Sequence, residues 1–379
     1  MPQPERPRSV TLAVFAVACL GAVELARSVD DPSVVGSFPA FFPLAGVVLA
    51  VLITSPQRAW LALVVIACGT MVLSAVIHGA RLLPPVAAAL IVGLQSILTA
   101  WLIRRSIGEQ PFALDRLPHA FALVAAGVLV SLAGGFLAGV ILMPRNPDAV
   151  LSVWRTWWLS DTIGIVMTAP VVLAAMAAWP FTFAALRSWR ALEIALGLAA
   201  GIVITEGIYG GRFPSLLQAP AYVLPFLMWA VFRFGPGASL AAPSIVAFIA
   251  LWHSSRGQGP LALFTDADIV LRAQGGIAIA GASVLLMASI VAERKRVTHE
   301  HARLVAELQQ ALAEIRTLRG LIPICAWCHK VRDDSGFWQQ IERYLDERTD
   351  ATFSHSICPA CHEVERLEIE SHEMSEHVS

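Results

Sequence analysis

A series of long apolar stretches occupies the first 292 residues of the chain and constrains its fold more than any other feature. An α-helix needs about 20 apolar residues to cross the roughly 30 Å of hydrocarbon in a bilayer. The eighth and ninth stretches are short and flank 233–237, so tilted spans, a re-entrant pair and an eight-span count all stay open. The sequence therefore predicts an all-α polytopic membrane helix bundle of eight to ten spans. The ten candidate stretches are 10–26, 38–53, 60–77, 84–103, 119–143, 157–178, 191–208, 221–232, 239–252 and 273–292.

Charged residues are scarce and unevenly distributed. Only 15% of the 379 residues are charged, against about 25% in soluble domains, which excludes an ordinary cytosolic enzyme. Up to residue 292 there are 16 arginines, no lysine and 12 acidic residues, whereas 293–379 holds 11 basic and 16 acidic residues. An acidic tail without a basic stripe argues against nucleic acid as a partner. We therefore expect a transmembrane domain at 10–292, whose partner is the lipid bilayer, and a soluble tail.

Basic residues in the loops predict the orientation, because positively charged loops stay on the cytoplasmic side. With the amino terminus inside, twelve Lys and Arg residues fall on the inner side and seven on the outer side. The inner set includes the cluster at 294–296, directly after the last span. Residues 1–9 then form a cytoplasmic N-terminus, and both termini are cytoplasmic. The first span is expected to be retained, since Glu24 stands where signal-peptide cleavage needs a small residue.

Polar side chains inside the spans are candidate functional groups, because each is costly to place in lipid. Asp161 follows a cluster of tryptophans that is typical of a membrane interface, and it could pair with Arg155. Glu206 is the deepest acid, for which a helix–helix hydrogen bond, a ligand contact and ion transport all stay open. Together with Arg233 in the short break, these residues are the candidate polar sites of the bundle.

Five short motifs occur in order along the spans. They resemble the bacterial membrane-associated sensor domain of the first type, over roughly residues 10–295. The resemblance implies a multi-span sensory input in the bacterial inner membrane, placed before kinase, cyclase or phosphodiesterase outputs, and it supplies no ligand site. Ser160 departs from the family pattern, which often has glycine there. The motifs are FPAFFPLAGV (38–47), WWLSDTIG (157–164, with Pro170 in the same span), WAVFRFG (229–235), GQGP (257–260) and RAQ (272–274).

A heptad repeat follows the last span. Its apolar positions alternate spacings of four and three residues, which is typical of a parallel dimeric coiled coil. We predict a coiled-coil linker at 293–319 and a homodimer, in which the helix either relays a signal or serves as a rigid spacer. The repeat comprises Val297, His301, Leu304, Leu308, Ala311, Ile315, Leu318 and Ile322.

Four of the six cysteines form two C-x-x-C pairs, Cys325 with Cys328 and Cys358 with Cys361. Two such pairs, 29 residues apart, are typical of one tetrahedral zinc ion. Residues 320–365 are too few to fold on an apolar core alone, so zinc would supply much of the folding free energy. We predict a zinc-stabilised α+β module at 320–365, with one structural zinc per chain, and a disordered acidic tail at 366–379. Its expected small core is Phe337, Trp338, Ile341, Tyr344, Leu345 and Phe353.

The cysteine segment carries a second resemblance, through LIPIC (321–325), VRDD (331–334), GFW (336–338), FSH (353–355) and ICPAC (357–361). It is similar to a short module at the carboxyl end of bacterial response regulators and sensor proteins, which implies a signalling appendage without assigned catalysis. A redox dithiol stays open as an alternative. So does c-type haem attachment, since both pairs continue into histidine, although haem would require a periplasmic tail.

No catalytic motif is found in the sequence: it has no phosphate-binding loop, serine elbow, H-E-x-x-H helix, or kinase or cyclase signature. We therefore expect a non-enzymatic sensor that detects an unknown stimulus and signals through a separate kinase, cyclase or response regulator. The main alternative is a secondary transporter that uses Glu206 and Asp161, and a membrane-anchored c-type cytochrome is a weaker one.

Overall fold

A computed structural model describes residues 8–29, 39–108, 110–143, 146–177, 189–214, 217–260, 269–319, 322–348 and 352–376. The chain divides into two compact units, Met1–His299 and Glu300–Ser379. Helices dominate both units, as the sequence predicts. The helices are α1 (Arg8–Val29), α2 (Pro43–Thr54), α3 (Trp60–Ile77), α4 (Leu83–Ile107), α5 (Leu117–Leu142), α6 (Pro147–Ile163), α7 (Ala169–Ala177), α8 (Trp189–Tyr209), α9 (Leu224–Ser254), α10 (Ile269–Arg319), α11 (Ile341–Asp346) and α12 (Pro359–Glu376), with two strands, β1 (Val331–Arg332) and β2 (Trp338–Gln339).

Seven helices in the described residues are long and apolar enough to cross a membrane. They correspond to predicted stretches one, three to seven and ten. The other three apolar helices, Pro43–Thr54, Pro220–Arg233 and Ala241–Ser254, are shorter. In the described residues, the ten predicted stretches thus comprise seven helices of full spanning length and three shorter ones. A helix of 12 residues such as α2 reaches only about 18 Å, well short of the hydrocarbon thickness.

Helix α9 folds back on itself. In its first half, the Phe226 ring lies against Gly201 and Arg233 pairs with Glu193, so this half runs antiparallel to α8. In its second half, His253 pairs with Glu206, near the opposite end of α8. A straight helix would carry His253 about 30 Å beyond Arg233, away from Glu206, so the helix must reverse its direction between them.

The sequence Gly-Pro-Gly at 235–237 stands between Arg233 and His253 and is suited to such a reversal. Proline removes a helical hydrogen bond and adjacent glycines allow sharp bending. The two short stretches of the sequence analysis thus form a helical pair rather than one long span.

Helices α6 and α7 are joined by a π-helical turn, Gly164–Thr168, which packs against α2. A Cβ atom on Gly164 would overlap the Phe42 carbonyl oxygen, and one on Gly46 would overlap the Gly164 carbonyl oxygen. The two glycines therefore allow the backbones of α2 and the π-turn to touch. This contact brings the short helix α2 into the centre of the bundle, where most of its residues are buried.

The carboxyl-terminal unit contains a small antiparallel hairpin, in which Val331 faces Gln339. The Asp333 carboxylate accepts hydrogen bonds from the N–H groups of Ser335 and Phe337, and Gly336 at φ 89° closes the turn. Apart from Val331, the large apolar side chains of this hairpin are exposed.

Two predictions for this unit differ from the structure. Phe337 is 72% exposed, Trp338 49% and Phe353 43%, so the expected aromatic core is not formed. Helix α12 runs to Glu376, so the structure describes the predicted disordered tail as helical up to that residue. Apolar residues recur on one side of this helix, and such periodicity favours a helix over a disordered segment.

Candidate functional site

Three of the sequence motifs meet at the segment that precedes α2. The Ser160 hydroxyl donates a hydrogen bond to the Pro39 carbonyl oxygen at 2.6 Å. The Gln274 side chain, which is fully buried on α10, donates through Nε2 to the Ala40 carbonyl oxygen at 2.8 Å. Helices α6 and α10 thus hold the same short piece of non-helical backbone, whose carbonyl groups would otherwise be unpaired in the bundle.

Asp161 lies on α6 next to this junction and is 4% exposed. Its Oδ2 atom accepts a hydrogen bond from Gln95 Nε2 at 3.0 Å, and Trp157 Nε1 donates to Gln95 Oε1 at 3.2 Å. An indole N–H can only donate, so it selects the oxygen of the Gln95 amide and turns the amide nitrogen towards the carboxylate. The chain Trp157–Gln95–Asp161 therefore has a defined direction.

The predicted pairing of Arg155 with Asp161 is not formed among the described residues. Arg155 is exposed, on a different side of α6 from the buried carboxylate. Six residues separate the two positions, and this spacing turns a helix by about 600°, which places them on different faces. Trp157, which the sequence assigns to an interfacial belt, is instead buried and part of the polar network.

A second polar group joins α8 to the end of α9. His253 Nε2 lies 3.1 Å from Glu206 Oε2, and His253 Nδ1 lies 2.8 Å from Gln258 Oε1. Glu206, the deepest acid of the sequence, thus forms the helix–helix hydrogen bond that was one of its three predicted roles. Gln258 belongs to the GQGP motif, whose Gly259 lies against the Tyr209 backbone with φ 82°.

Arg233 forms an ion pair with Glu193 on α8. Its Nε and Nη2 atoms each lie 2.6 Å from a different carboxylate oxygen of Glu193. The planar guanidinium group thus matches both carboxylate oxygens, which is the strongest geometry for such a pair. This contact holds the first half of α9 beside α8.

Comparison with protein families matches the MASE1 model, which describes a membrane-associated sensor domain, to residues 9–295. The chain belongs to the MASE1 family. The match covers about three quarters of the chain and confirms the first resemblance seen in the sequence. Comparisons with curated proteins and with solved structures gave no match. In this fold, three of the MASE1 motifs meet at the segment before α2, the GQGP motif lies at the end of α8, and Arg233 of the WAVFRFG motif pairs with Glu193 near the start of α8.

The two cysteine pairs lie outside the MASE1 domain. Each pair could supply two of the four thiolates of a zinc site. In the first, the His329 N–H donates to the Cys325 carbonyl oxygen at 2.9 Å, and His329 takes a φ of 56° to close the turn. Hydrogen bonds from the backbone N–H groups of Cys328 and Trp327 lower the pKa of the Cys325 thiol. A lowered thiol pKa favours the thiolate, which is the form that binds metals.

The second pair uses the start of helix α12. The N–H and the thiol of Cys361 both donate to Cys358, and these hydrogen bonds lower the pKa of the Cys358 thiol. All four cysteines are free thiols in the described chain. No group of three or more His, Cys, Asp or Glu side chains in the described residues is close enough to hold a metal. The donor chemistry thus fits zinc within each pair, but the pairs are not assembled into one site.

Sequence reasoning located most of the polar residues but few of their partners. Gln95, His253 and Glu193 emerge as the partners of Asp161, Glu206 and Arg233. Gln95 and Glu193 stand out in the sequence as polar residues in or near spans, and Gln258 stands inside a motif of the resemblance. None of these signals identifies the partner, because a pairing between helices depends on rotation angles that a single sequence does not encode.

Proposed function

We propose that this MASE1 protein is a signal-transduction sensor of the bacterial inner membrane, which detects a stimulus in its transmembrane bundle and relays it to a cytoplasmic tail. The observation that carries the proposal is the family match over 9–295, since a membrane-associated sensor domain implies a sensory role in a bilayer. The buried polar network around Asp161 supports it, because such groups in a bundle are costly unless they serve a function.

The proposed orientation places both termini in the cytoplasm. It is supported by the excess of basic residues on the loops assigned to the inner side and by the cluster at 294–296. Green fluorescent protein fused after Val378 should fluoresce, and alkaline phosphatase at the same position should be inactive. The same reporters inserted at Gly211, between α8 and α9, should give the reverse pattern. Active phosphatase after Val378 would contradict the relay to a cytoplasmic tail.

The proposed relay is a dimeric coiled coil. Helix α10 runs from Ile269 to Arg319, and Val297, Leu304 and Leu308 on its heptad positions are 40%, 52% and 64% exposed. A stripe of exposed apolar side chains on a helix is what a second copy would bury in a parallel coiled coil. Both copies would then move together when the bundle changes its packing.

The proposed tail module binds one structural zinc ion through Cys325, Cys328, Cys358 and Cys361. Zinc would join the two cysteine pairs and supply folding free energy to a unit with almost no buried apolar core. Metal analysis of the purified full chain should give about one zinc per chain, as expected for four thiolates. Cys358→Ser should lose that zinc, whereas Cys68→Ser, in the membrane domain, should retain it. Full zinc content in Cys358→Ser would exclude the site.

We further propose that the chain is not itself an enzyme and that the zinc module binds a separate kinase, cyclase or response regulator. The support is the absence of catalytic motifs from the whole sequence. The full chain should capture such a signalling protein from the membranes of its host, and the double variant Cys325→Ser/Cys358→Ser should not. Equal capture by both forms, or unchanged signalling in a deletion strain, would contradict this role.

A further inference from the structure

A small cavity beside Asp161 is lined by the oxygen-bearing side chains of several helices. Its volume is about 10 Å³, which is room for one water-sized sphere. The apolar walls come from α2, α4 and the π-turn. The polar lining residues are Gln95, Ser96, Thr99, Ser131 and Asp161.

The hydroxyl groups of this cavity present acceptors. Ser96 donates its proton to the Val92 carbonyl oxygen at 2.8 Å, and Thr99 donates to the Gln95 carbonyl oxygen at 2.8 Å. With their protons engaged, these hydroxyl oxygens can offer only lone pairs. The Gln95 Oε1 atom accepts one hydrogen bond from Trp157, and its amide nitrogen donates to Asp161. Ser96 and Thr99 thus present acceptor oxygens to the cavity beside the Asp161 carboxylate.

The Asp161 carboxylate has no cationic partner among the described residues, since none of their ion pairs includes it. A buried carboxylate without compensation costs many kcal/mol, so a proton or a cation must neutralise it. A proton on Asp161 would neutralise the carboxylate but would not bind the neighbouring hydroxyl oxygens. A cation would be neutralised by the carboxylate and coordinated by the hydroxyl oxygens.

The size and charge of the cavity restrict the cation. One carboxylate is too little charge for a site selective for calcium or magnesium, which bind several carboxylates or keep several waters. A space for a single water excludes organic amines. We propose that this cavity binds a dehydrated sodium ion, with the Asp161 carboxylate as its counter-charge and Ser96, Thr99 and Ser131 as neutral oxygen ligands.

Binding here would act on the centre of the bundle. Asp161 lies three residues before the π-turn, and its neighbour Ser160 holds the segment before α2. A π-helical turn often marks a functional site. The assignment of sodium as a stimulus rests on the proposed sensor function, whereas the binding step does not.

The test compares the thermal unfolding of the purified full chain in lipid nanodiscs in sodium, potassium and choline chloride at equal ionic strength. Sodium should raise the Tm by about 2–5 °C over choline, as expected for a ligand that binds only the folded state. Asp161→Asn should abolish the shift, since its amide can still accept from Gln95 but carries no charge. Thr99→Val, which keeps the side-chain shape, should reduce it.

The matched control is Asp148→Asn, which removes an exposed carboxylate from the first turn of the same helix and should keep the full shift. Equal Tm values in the three salts would show that the cavity holds water only and would overturn the proposal. A sodium shift that survives in Asp161→Asn would overturn it as well. Because these measurements involve neither the tail nor a partner, a failed relay and a failed sodium site are distinguishable.

Discussion

Gly164 lies against Phe42 so closely that the space for its side chain is filled by the Phe42 carbonyl oxygen. The contact joins the π-turn to the start of α2 and excludes every residue but glycine at position 164. On the other side of the same interface, Gly46 faces the carbonyl oxygen of Gly164. Two backbones therefore meet here without intervening side chains, as is common between membrane helices.

We predict that Gly164→Ala unfolds or severely destabilises the membrane domain, because the added methyl group must push two backbones apart. Overpacking of this kind typically costs about 1–3 kcal/mol or more. Gly21→Ala on α1 is the matched control, since nothing lies within 4 Å of its added methyl group, and it should be neutral or slightly stabilising. Thermal unfolding of both variants in detergent measures the difference. Equal Tm values would show that the interface can relax.

Ser160→Ala should lower the free energy of unfolding by about 1–3 kcal/mol, because the Pro39 carbonyl oxygen loses its donor. The control is Ser152→Ala, an exposed serine two turns earlier on the same helix, which should change little. Denaturant titration followed by tryptophan fluorescence checks both. If Ser160→Ala lowers the free energy of unfolding no more than the control does, another donor such as water must bond the Pro39 carbonyl oxygen.

The ion pair between Glu193 and Arg233 should contribute modestly to stability. Arg233 is about half exposed, so solvent screens the attraction, and a coupling energy of about 0.2–1 kcal/mol is expected. A double-mutant cycle with Glu193→Gln and Arg233→Gln isolates this energy. The pair between Arg303 and Glu307, which is more exposed and has one hydrogen bond, should give a smaller coupling energy. A larger value for that pair would contradict the role of two-point geometry.

Leu304→Asp should abolish the proposed dimer, because it places a charge in the apolar seam of the coiled coil. Gln309→Asp adds the same charge to an exposed position outside the heptad stripe and should leave the dimer intact. Chemical cross-linking in native membranes, followed by electrophoresis, measures the dimer fraction. Dimers that persist in Leu304→Asp would place the contact between the two copies elsewhere.

The sequence was most informative where long apolar stretches decide the structure. All ten predicted stretches contain helix in the described residues, because apolar length and helix formation are coupled in lipid. Seven of them have full spanning length in the described residues, and α2 and both halves of α9 are shorter. Glycine and proline at 235–237 are compatible with a reversal of α9. The contacts of Arg233 and His253 with α8 were needed to establish it.

The polar sites were predicted less well. The cost of a carboxylate in lipid pointed to Asp161 and Glu206, but the possible pair of Asp161 with Arg155 is not formed, because charge complementarity ignores helix rotation. The hydroxyl groups of Ser96, Thr99 and Ser131 gave no signal, since serine and threonine are common in membrane helices and can bond their own backbone. In the tail, the cysteine spacing still predicts zinc, and the aromatic core expected around it is exposed.

The reversal of α9 has a consequence for how the chain can be mapped. The loop before this helix and the loop after it adjoin each other, since Gly259 touches the backbone of Tyr209. We therefore expect the helical pair to add no net crossing, with the segments 210–214 and 255–260 on the same side of the membrane. A water-soluble labelling reagent that cannot cross the envelope should reach engineered cysteines in both segments or in neither.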